Sequence, residues 1–342
     1  MDGMPDRLRQ AVKLLLAGEL VALPTETVYG LGADAANPEA VARIYAAKGR
    51  PADHPLIVHL AAAGHLAQWA AEVPPAARDL ADAFWPGPLT LILKKQDWVP
   101  PAVTGGQDTV GLRVPGHPLA LALLAAFAAA RAPAPAGIAA PSANRFGRVS
   151  PTTAVHVREE LGDKVSLILD GGPCEVGIES TILDFSRAGV PEILRPGAIT
   201  ADAIAHVIGV LPRLRDERTK GEVAADAAPR VPGALATHYA PRTPLRLTDS
   251  ASLVTELACL ASAGRRVAVL AYSAAMPRDA GLFADWRAAP PEPMGYACQL
   301  YASLRALDAL GADIILVESP PDLPIWHAVA DRLRRAAAKA SS

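Results

Sequence analysis

The sequence predicts an α/β protein in two parts. The first is a mixed, twisted open sheet flanked by helices. The second is a small doubly wound (Rossmann-like) C-terminal α/β domain. Three observations carry this. Helical and strand patterns mix without strict alternation up to about residue 210. A charged stretch rich in proline and small residues, with no periodicity, follows it. Strands and helices then alternate regularly to the end of the chain. A length of 342 residues fits two domains at ~100–200 residues each. The expected division is 1–210, a linker at 211–243, and 244–342.

Residues 6–17 place Leu8, Val12, Leu15 and Leu16 on one helical face, and Gly18 stops the helix. GELVALPT reads as a strand entering a polar turn. Asn37 as cap, Pro38 at the first helical position and Gly49 at the end bracket the next helix. Strands at 56–60, 89–94, 109–114 and 137–140 follow, with helices at 75–84, 117–130 and 152–161. Strands near 165–170, 180–185 and 191–195 precede a helix at 201–208. Beyond the linker come strand LRLT, helix 250–263, strand RRVAVLAY, helix 294–310, strand DIILVES and helix 325–339.

Hydrophobic residues make up 51% of the chain, enough for substantial cores. The formal charge of -2 gives no basis for coating nucleic acid or anionic lipid. Cys174, Cys259 and Cys298 show neither metal-like nor paired spacing, which suits a reducing compartment. The N-terminus is amphipathic and lacks the long apolar run of a signal peptide, and no segment is long enough to span a membrane. The expectation is a cytoplasmic protein.

Candidate chemistry begins at YAAKGRPADHPLIVHL, where Lys48, Arg50, Asp53, His54 and His59 crowd a helix-to-strand junction. Cations at a helix C-terminus favour its dipole by ~0.3–1 kcal/mol, which is the structural alternative. Further segments accompany them. LPTETVYGLGADA packs Thr25, Glu26, Thr27 and Tyr29 between a strand end and two glycines that permit close backbone approach. In DTVGLRVPGHP, alternation puts Thr109, Gly111 and Arg113 on one strand face. There Arg113 suits either an anion site or a structural salt bridge. GIAAPSANRFGRVSP leads a strand of small residues into Ser142, Asn144, Gly147 and Ser150, without the ending of a Walker loop. DGGPCEVGIESTILDF carries Ser180 and Thr181, and RPG carries Arg195. Together these describe a sheet-edge cavity for an anion larger than one phosphate. With no metal-like cluster and no serine–histidine–aspartate set, such a site positions anions and stabilises charge.

PTETVYGLGADA, the K-x-R of KGRP, HPLIVH, PGPLTLIL, GLRVP, PSAN, ESTILD and RPGAI occur in this order. Over about residues 7–209 they closely resemble the threonylcarbamoyl-AMP synthase (YrdC-like) family. PGALATHYAPRTPL and the final RLRRAA resemble its longer, two-domain form more loosely. The resemblance implies synthesis of L-threonylcarbamoyl-AMP from L-threonine, bicarbonate and ATP with Mg2+, releasing pyrophosphate. It implies no tightly held organic cofactor. A downstream tRNA threonylcarbamoyl transferase complex would then modify an adenosine beside the anticodon.

Carried over by position, the threonine pocket is Thr27, His59, Arg113, the backbone near Ala140, and Ser180 with Thr181. The nucleotide side is Lys48, Arg50, His54, Thr109, Ser142, Asn144, Ser150 and Arg195. Of these, Lys48, Arg50, Ser142 and Asn144 carry the catalytic roles. His59 is the candidate to deprotonate the threonine amine. Residues 232–241 are expected to close over the site with His238 and Tyr239 near the phosphates. His54 stands where relatives often carry asparagine.

Two rivals compete with this reading. One is a non-catalytic double-stranded RNA-binding module, opposed by the near-zero net charge and by cations intermingled with hydroxyls. The other is the carbamoyl-transfer relative found in metalloenzyme maturation proteins, whose acylphosphatase-like and zinc-finger regions have no counterpart here. No strong direct nucleic-acid binding is expected.

Overall fold

The computed structural model describes residues 4–215, 229–235, 237–278, 281 and 283–338. In chain order the first part runs α1 (Asp6–Leu16), β1 (Val21–Leu23), β2 (Gly30–Asp34), α2 (Pro38–Lys48), β3 (Ile57–His59), α3 (Leu66–Trp69), α4 (Pro75–Phe84), β4 (Leu89–Lys94) and α5 (Pro101–Thr104). It continues with β5 (Thr109–Arg113), α6 (Pro118–Arg131), β6 (Ile138–Ala139), α7 (Ala154–Leu161), β7 (Leu167–Ile168), β8 (Thr181–Asp184), β9 (Glu192–Arg195), α8 (Ala201–Ile208) and β10 (Arg213–Leu214). The second part is β11 (Leu245–Thr248), α9 (Leu253–Ser262), β12 (Val267–Ala271), β13 (Asp285–Ala288), α10 (Pro293–Asp308), β14 (Ile314–Glu318) and α11 (His327–Ala337).

The first part is one mixed sheet in the order β10-β9-β8-β4-β5-β3-β6-β2-β1-β7. Its centre combines a parallel β3–β5 pair with antiparallel β3–β6 and β4–β5 pairs. One apolar layer packs Leu31, Val41, Ile44, Trp69, Leu80, Val110 and Leu112 on one side. Another packs α1 and α6 through Leu8, Val12, Leu15, Leu123 and Phe127. Val110, Leu112 and Val114 are buried in the first layer, so the alternation read for 109–114 holds.

Local signals act as expected at α2. The Asn37 side chain accepts from the amides of Glu39 (3.0 Å) and Ala40 (3.3 Å), and Gly49 ends the helix at φ 63°. The sequence reading missed β2, because GLGAD looks like a turn. Gly32 is required there by space, not by dihedral freedom. A Cβ on it would lie 2.9 Å from both Ile138 Cγ2 and Leu23 Cδ2. It also missed β13, α5 and the two-residue β10, which extends the sheet inside the stretch read as linker. Within that stretch 216–228 and position 236 lie outside the described residues, as does position 339 of the expected final helix.

The second part is an all-parallel sheet in the order β11-β14-β12-β13. At the carboxyl ends of its strands, where such folds commonly bind anions, the Glu318 carboxylate fills the place itself. It accepts from the amides of Tyr272 (2.7 Å), Ser273 (2.9 Å) and Ala274 (3.1 Å) and from the Ser250 hydroxyl (2.5 Å).

The two parts share a core. Val28, Val149 and Ile178 of the first cluster with Tyr239, Leu245, Tyr296, Tyr301, Trp326 and Val329. Gly177, at φ 77°, lies so close to α10 that a Cβ would stand 2.4 Å from the Cys298 carbonyl oxygen. Among the described residues no helix is long and apolar enough to cross a membrane.

Gly32→Ala overpacks the β1–β2–β6 junction and is expected to destabilise the chain by about 1–3 kcal/mol. A thermal melt with Tm unchanged would contradict that packing.

Candidate functional site

The β3–β5 register sets His59 directly beside Arg113. Across β6, the Ala140 amide donates to the Ile57 carbonyl at 3.0 Å, bringing the Ala140–Ser142 backbone to the same place. A narrow cavity opens here, at the centre of the ten-stranded sheet and not at its edge. Thr25, Thr27, Arg50, His59, Arg113, Ala140, Ser142, Glu179, Ser180 and Arg195 line it, and Pro232, Gly233, His238 and Tyr239 cover it. Its room for solvent is about 50 Å³.

The cations of this region are buried and held largely by main-chain carbonyls. Lys48, in the last turn of α2, donates its Nζ to the carbonyls of Ser142 and, at 2.6 Å, Asn144. Burial pushes its pKa well below the usual lysine value, and the positive charge of Arg50 adds to the effect. Arg50 donates to the Pro55 carbonyl at 3.0 Å and lies over the Phe146 ring at 5.6 Å. Burial lowers its pKa to about 10, so it stays charged near neutrality. Arg195 donates to the carbonyls of Ser180 (3.0 and 2.9 Å) and Pro232 (3.0 Å) and to the Ser180 hydroxyl (3.0 Å). It thereby ties the covering segment to the head of β8.

Arg113 differs. It donates to the Gly87 carbonyl (3.1 Å), the Thr27 hydroxyl (3.0 Å) and the Glu26 carboxylate (2.6 Å). The two sequence readings of this arginine therefore combine, since it is salt-bridged on one side and faces the cavity on the other.

Several buried polar atoms of the cavity lining have no hydrogen-bond partner: Arg50 Nε, His59 Nδ1, His238 Nδ1 and the Tyr239 hydroxyl. Buried groups are normally satisfied, so their concentration around one cavity marks a place shaped for a polar ligand.

Other expected site residues lie behind the wall. The Asn144 amide nitrogen donates to the Arg145 (2.7 Å) and Arg148 (2.9 Å) carbonyls, and Ser150 donates to Glu179 at 2.6 Å. The Thr181 hydroxyl is engaged by the Ile199 backbone, donating to its carbonyl at 2.8 Å, which leaves Ser180 as the cavity hydroxyl. Thr109 is buried opposite Lys94 and does not line the cavity. His54 sits edge-on to Phe146, on the wall of a neighbouring cavity shared with Arg230 and Arg334. Tyr29 turns away, donating to the Gly172 carbonyl at 2.7 Å.

The sequence reading named Glu26 in its segment without giving it a role, and it missed Glu179. The available signal was a lone acid between small residues at a strand end, a type rarely buried without a partner. It also missed Tyr301 and Arg332, which donate to Glu179 at 2.8 Å each from α10 and α11. Nothing in the local sequence points from there to a cavity more than a hundred residues away.

Comparison with known proteins bears on what this arrangement belongs to. Residues 13–197 match the Sua5/YciO/YrdC family described as "Telomere recombination". Residues 199–338 match "Threonylcarbamoyl-AMP synthase, C-terminal domain". The threonylcarbamoyl-AMP synthase of Bacillus subtilis is 42% identical over 344 residues, covering 97% of this chain and 93% of the relative. The chain belongs to the threonylcarbamoyl-AMP synthase family. Its two-part form agrees with that family's Pyrococcus abyssi member, 38% identical over 96% of this chain and 94% of the relative. The crystal structure of P. abyssi Sua5 complexed with L-threonine superposes with a TM-score of 0.86 at 39% identity, covering 97% of this chain and 94% of that one.

Burial, aided by Arg113, lowers the His59 pKa to about 3. Burial also lowers His238 to about 3, with Glu179 opposing and Arg50, Lys48 and Arg195 assisting. Both imidazoles are neutral in the fold, and His59 is a weak base for any amine. An unfolded histidine takes its proton near pH 6.5, so stability should fall as pH drops from there toward 3. The slope is about 1.4 kcal/mol per pH unit for each histidine. Denaturant titrations of His59→Asn and His238→Asn should show a shallower acid dependence than the parent, and an unchanged slope would contradict their neutral burial.

Proposed function

We propose that this chain makes L-threonylcarbamoyl-AMP from L-threonine, bicarbonate and ATP, releasing pyrophosphate and water. The observation that carries this reading is the set of buried cations held by carbonyls. Carbonyl oxygens stabilise a buried cation without cancelling its charge, so Arg50 and Arg195, which line the cavity, keep positive potential for an anion. His59, Arg113 and Ala140 on neighbouring strands make a small polar pocket that suits an amino acid, with Thr27 and Ser180 to read its hydroxyl.

In this reading the threonine amine takes up bicarbonate-derived CO2 to form a carbamate, whose oxygen attacks the α-phosphorus as pyrophosphate departs. Lys48 and Arg50 offset the charge that builds during the displacement, with Ser142 and Asn144 giving neutral support. Lys48 reaches this place from behind the wall, through the loop carbonyls it holds. His59, neutral and weakly basic, orients the amine more readily than it deprotonates it. Magnesium enters with the nucleotide as MgATP. Among the described residues no group of three or more histidines, cysteines or acids could hold an ion.

Residues 1–210 are assigned the chemistry and 211–243 the linker, while 244–342 supply a supporting α/β domain. In this reading the segment expected at 232–241 closes the site through Pro232, Gly233, His238 and Tyr239, which line the cavity. Closure of this kind excludes water from a labile intermediate. The product is a substrate for a tRNA threonylcarbamoyl transferase complex. The RNA-binding rival is disfavoured, since the cations enclose a narrow cavity and do not form an open basic surface.

The decisive experiment measures pyrophosphate release from MgATP and bicarbonate with and without L-threonine. Release is expected only with threonine, and Lys48→Ala is expected to reduce it by about 10²–10³-fold. Folded wild-type protein that gave no threonine-dependent pyrophosphate would end the enzymatic reading.

Replacing His238 and Tyr239 together by alanine is expected to lower kcat/KM by about 10-fold or more, through loss of closure. An unchanged kcat/KM would dismiss the covering role of this segment.

A further inference from the structure

Glu179 is the one carboxylate among the described residues that lines the cavity, in otherwise cationic surroundings. A bare carboxylate there would repel an incoming polyphosphate. It is compensated largely from the C-terminal part of the chain. Its Oε1 accepts from the Ser150 hydroxyl at 2.6 Å. Its Oε2 accepts from the Tyr301 hydroxyl and from Arg332 Nε, each at 2.8 Å. Arg332 has no exposed side-chain surface and holds Asp331 at 2.7 Å with its other end.

The same two residues grip the covering segment. The Arg332 guanidinium lies 5.2 Å from the Tyr239 ring centre, and Tyr301 stacks on Tyr239 at 5.7 Å. Tyr239 is a non-glycine residue at φ 60°, a conformation that persists only where surrounding contacts enforce it. Next in line, the His238 amide donates to the Arg335 carbonyl at 3.3 Å. Burial opposes the charge on Glu179, yet Arg332 and then Arg195 hold its carboxyl down at about 2.

We propose that Arg332 and Tyr301 are positioning residues of the cavity, which neutralise Glu179 and seat Tyr239 so that ATP affinity depends on the C-terminal part. The inference rests on the reading of this cavity as an ATP site and adds a role for α10 and α11. A purely architectural role would predict that loss of Arg332 harms everything equally. A neutralising role predicts a selective loss of ATP binding that is relieved when Glu179 also loses its charge.

The test uses the full chain and measures MgATP binding by calorimetry, alongside threonine-dependent pyrophosphate release. Arg332→Met is expected to raise the Kd for MgATP by about 10-fold or more while the KM for threonine changes less than about 2-fold. The double variant Glu179→Gln/Arg332→Met is expected to recover to within about 3-fold of wild type. Tyr301→Phe keeps the stacking, removes only the hydroxyl, and should raise the Kd by about 3-fold. A wild-type Kd in Arg332→Met, or a double variant no better than the single one, overturns the proposal. If Arg332→Met does not fold, an unchanged Kd in Tyr301→Phe overturns it instead. A wild-type chain that binds MgATP but releases no pyrophosphate with threonine ends the functional reading alone. Flat variants in an active enzyme end this proposal alone, and a wild-type chain that binds no MgATP ends both.

Discussion

Buried positive charge is the constraint on which the rest of the structure depends. Four cations, Lys48, Arg50, Arg113 and Arg195, sit almost fully enclosed around one narrow cavity. Withdrawing each from water is costly unless close polar partners replace the hydration. Main-chain carbonyls do most of that work, from Ser142, Asn144, Pro55, Gly87, Ser180 and Pro232. Those carbonyls come from turns before β3, after β6, before β4 and before β8, and from the covering segment. The strand order that gathers these turns, and the small residues that let them approach, hold Lys48, Arg50 and Arg195 without a carboxylate pair, whereas Arg113 is paired with Glu26.

The same constraint explains why the two parts of the chain are joined so closely. A site rich in cations tolerates one carboxylate only if that carboxylate is itself compensated. Glu179 receives this compensation from α10 and α11, and the covering segment is pinned to the same helices. The shared apolar cluster and the absence of space at Gly177 fix the two parts at the distance these hydrogen bonds require. Meanwhile Glu318 occupies the usual anion position of the second sheet, which fits a part that supports a site elsewhere.

Legibility in the sequence followed the range of the interactions. Asn37, Pro38 and Gly49 specify α2 through contacts within four residues, and the alternation in 109–114 specifies which face Arg113 occupies. The strand at 30–34 was illegible because Gly32 answers to Ile138 and Leu23, not to its neighbours. Thr181 and Thr109 were placed with the site by motif, but the Ile199 backbone claims one and the strand pairing buries the other away from the cavity. His59 was a reasonable base until burial beside Arg113 removed its basicity.

By itself the sequence determined the α/β class, the family, the motif residues and the cationic character of the site. Those properties reside in periodicity, in capping and in residue types at fixed spacing along the chain. The tertiary structure alone decided that the cavity lies at the centre of the sheet, that carbonyls hold its cations, and that Glu179 answers to Tyr301 and Arg332. Most of these depend on pairs far apart in the chain, such as Lys48 with Ser142 and Glu179 with Arg332, whose contact is set by strand order and by packing between the two parts.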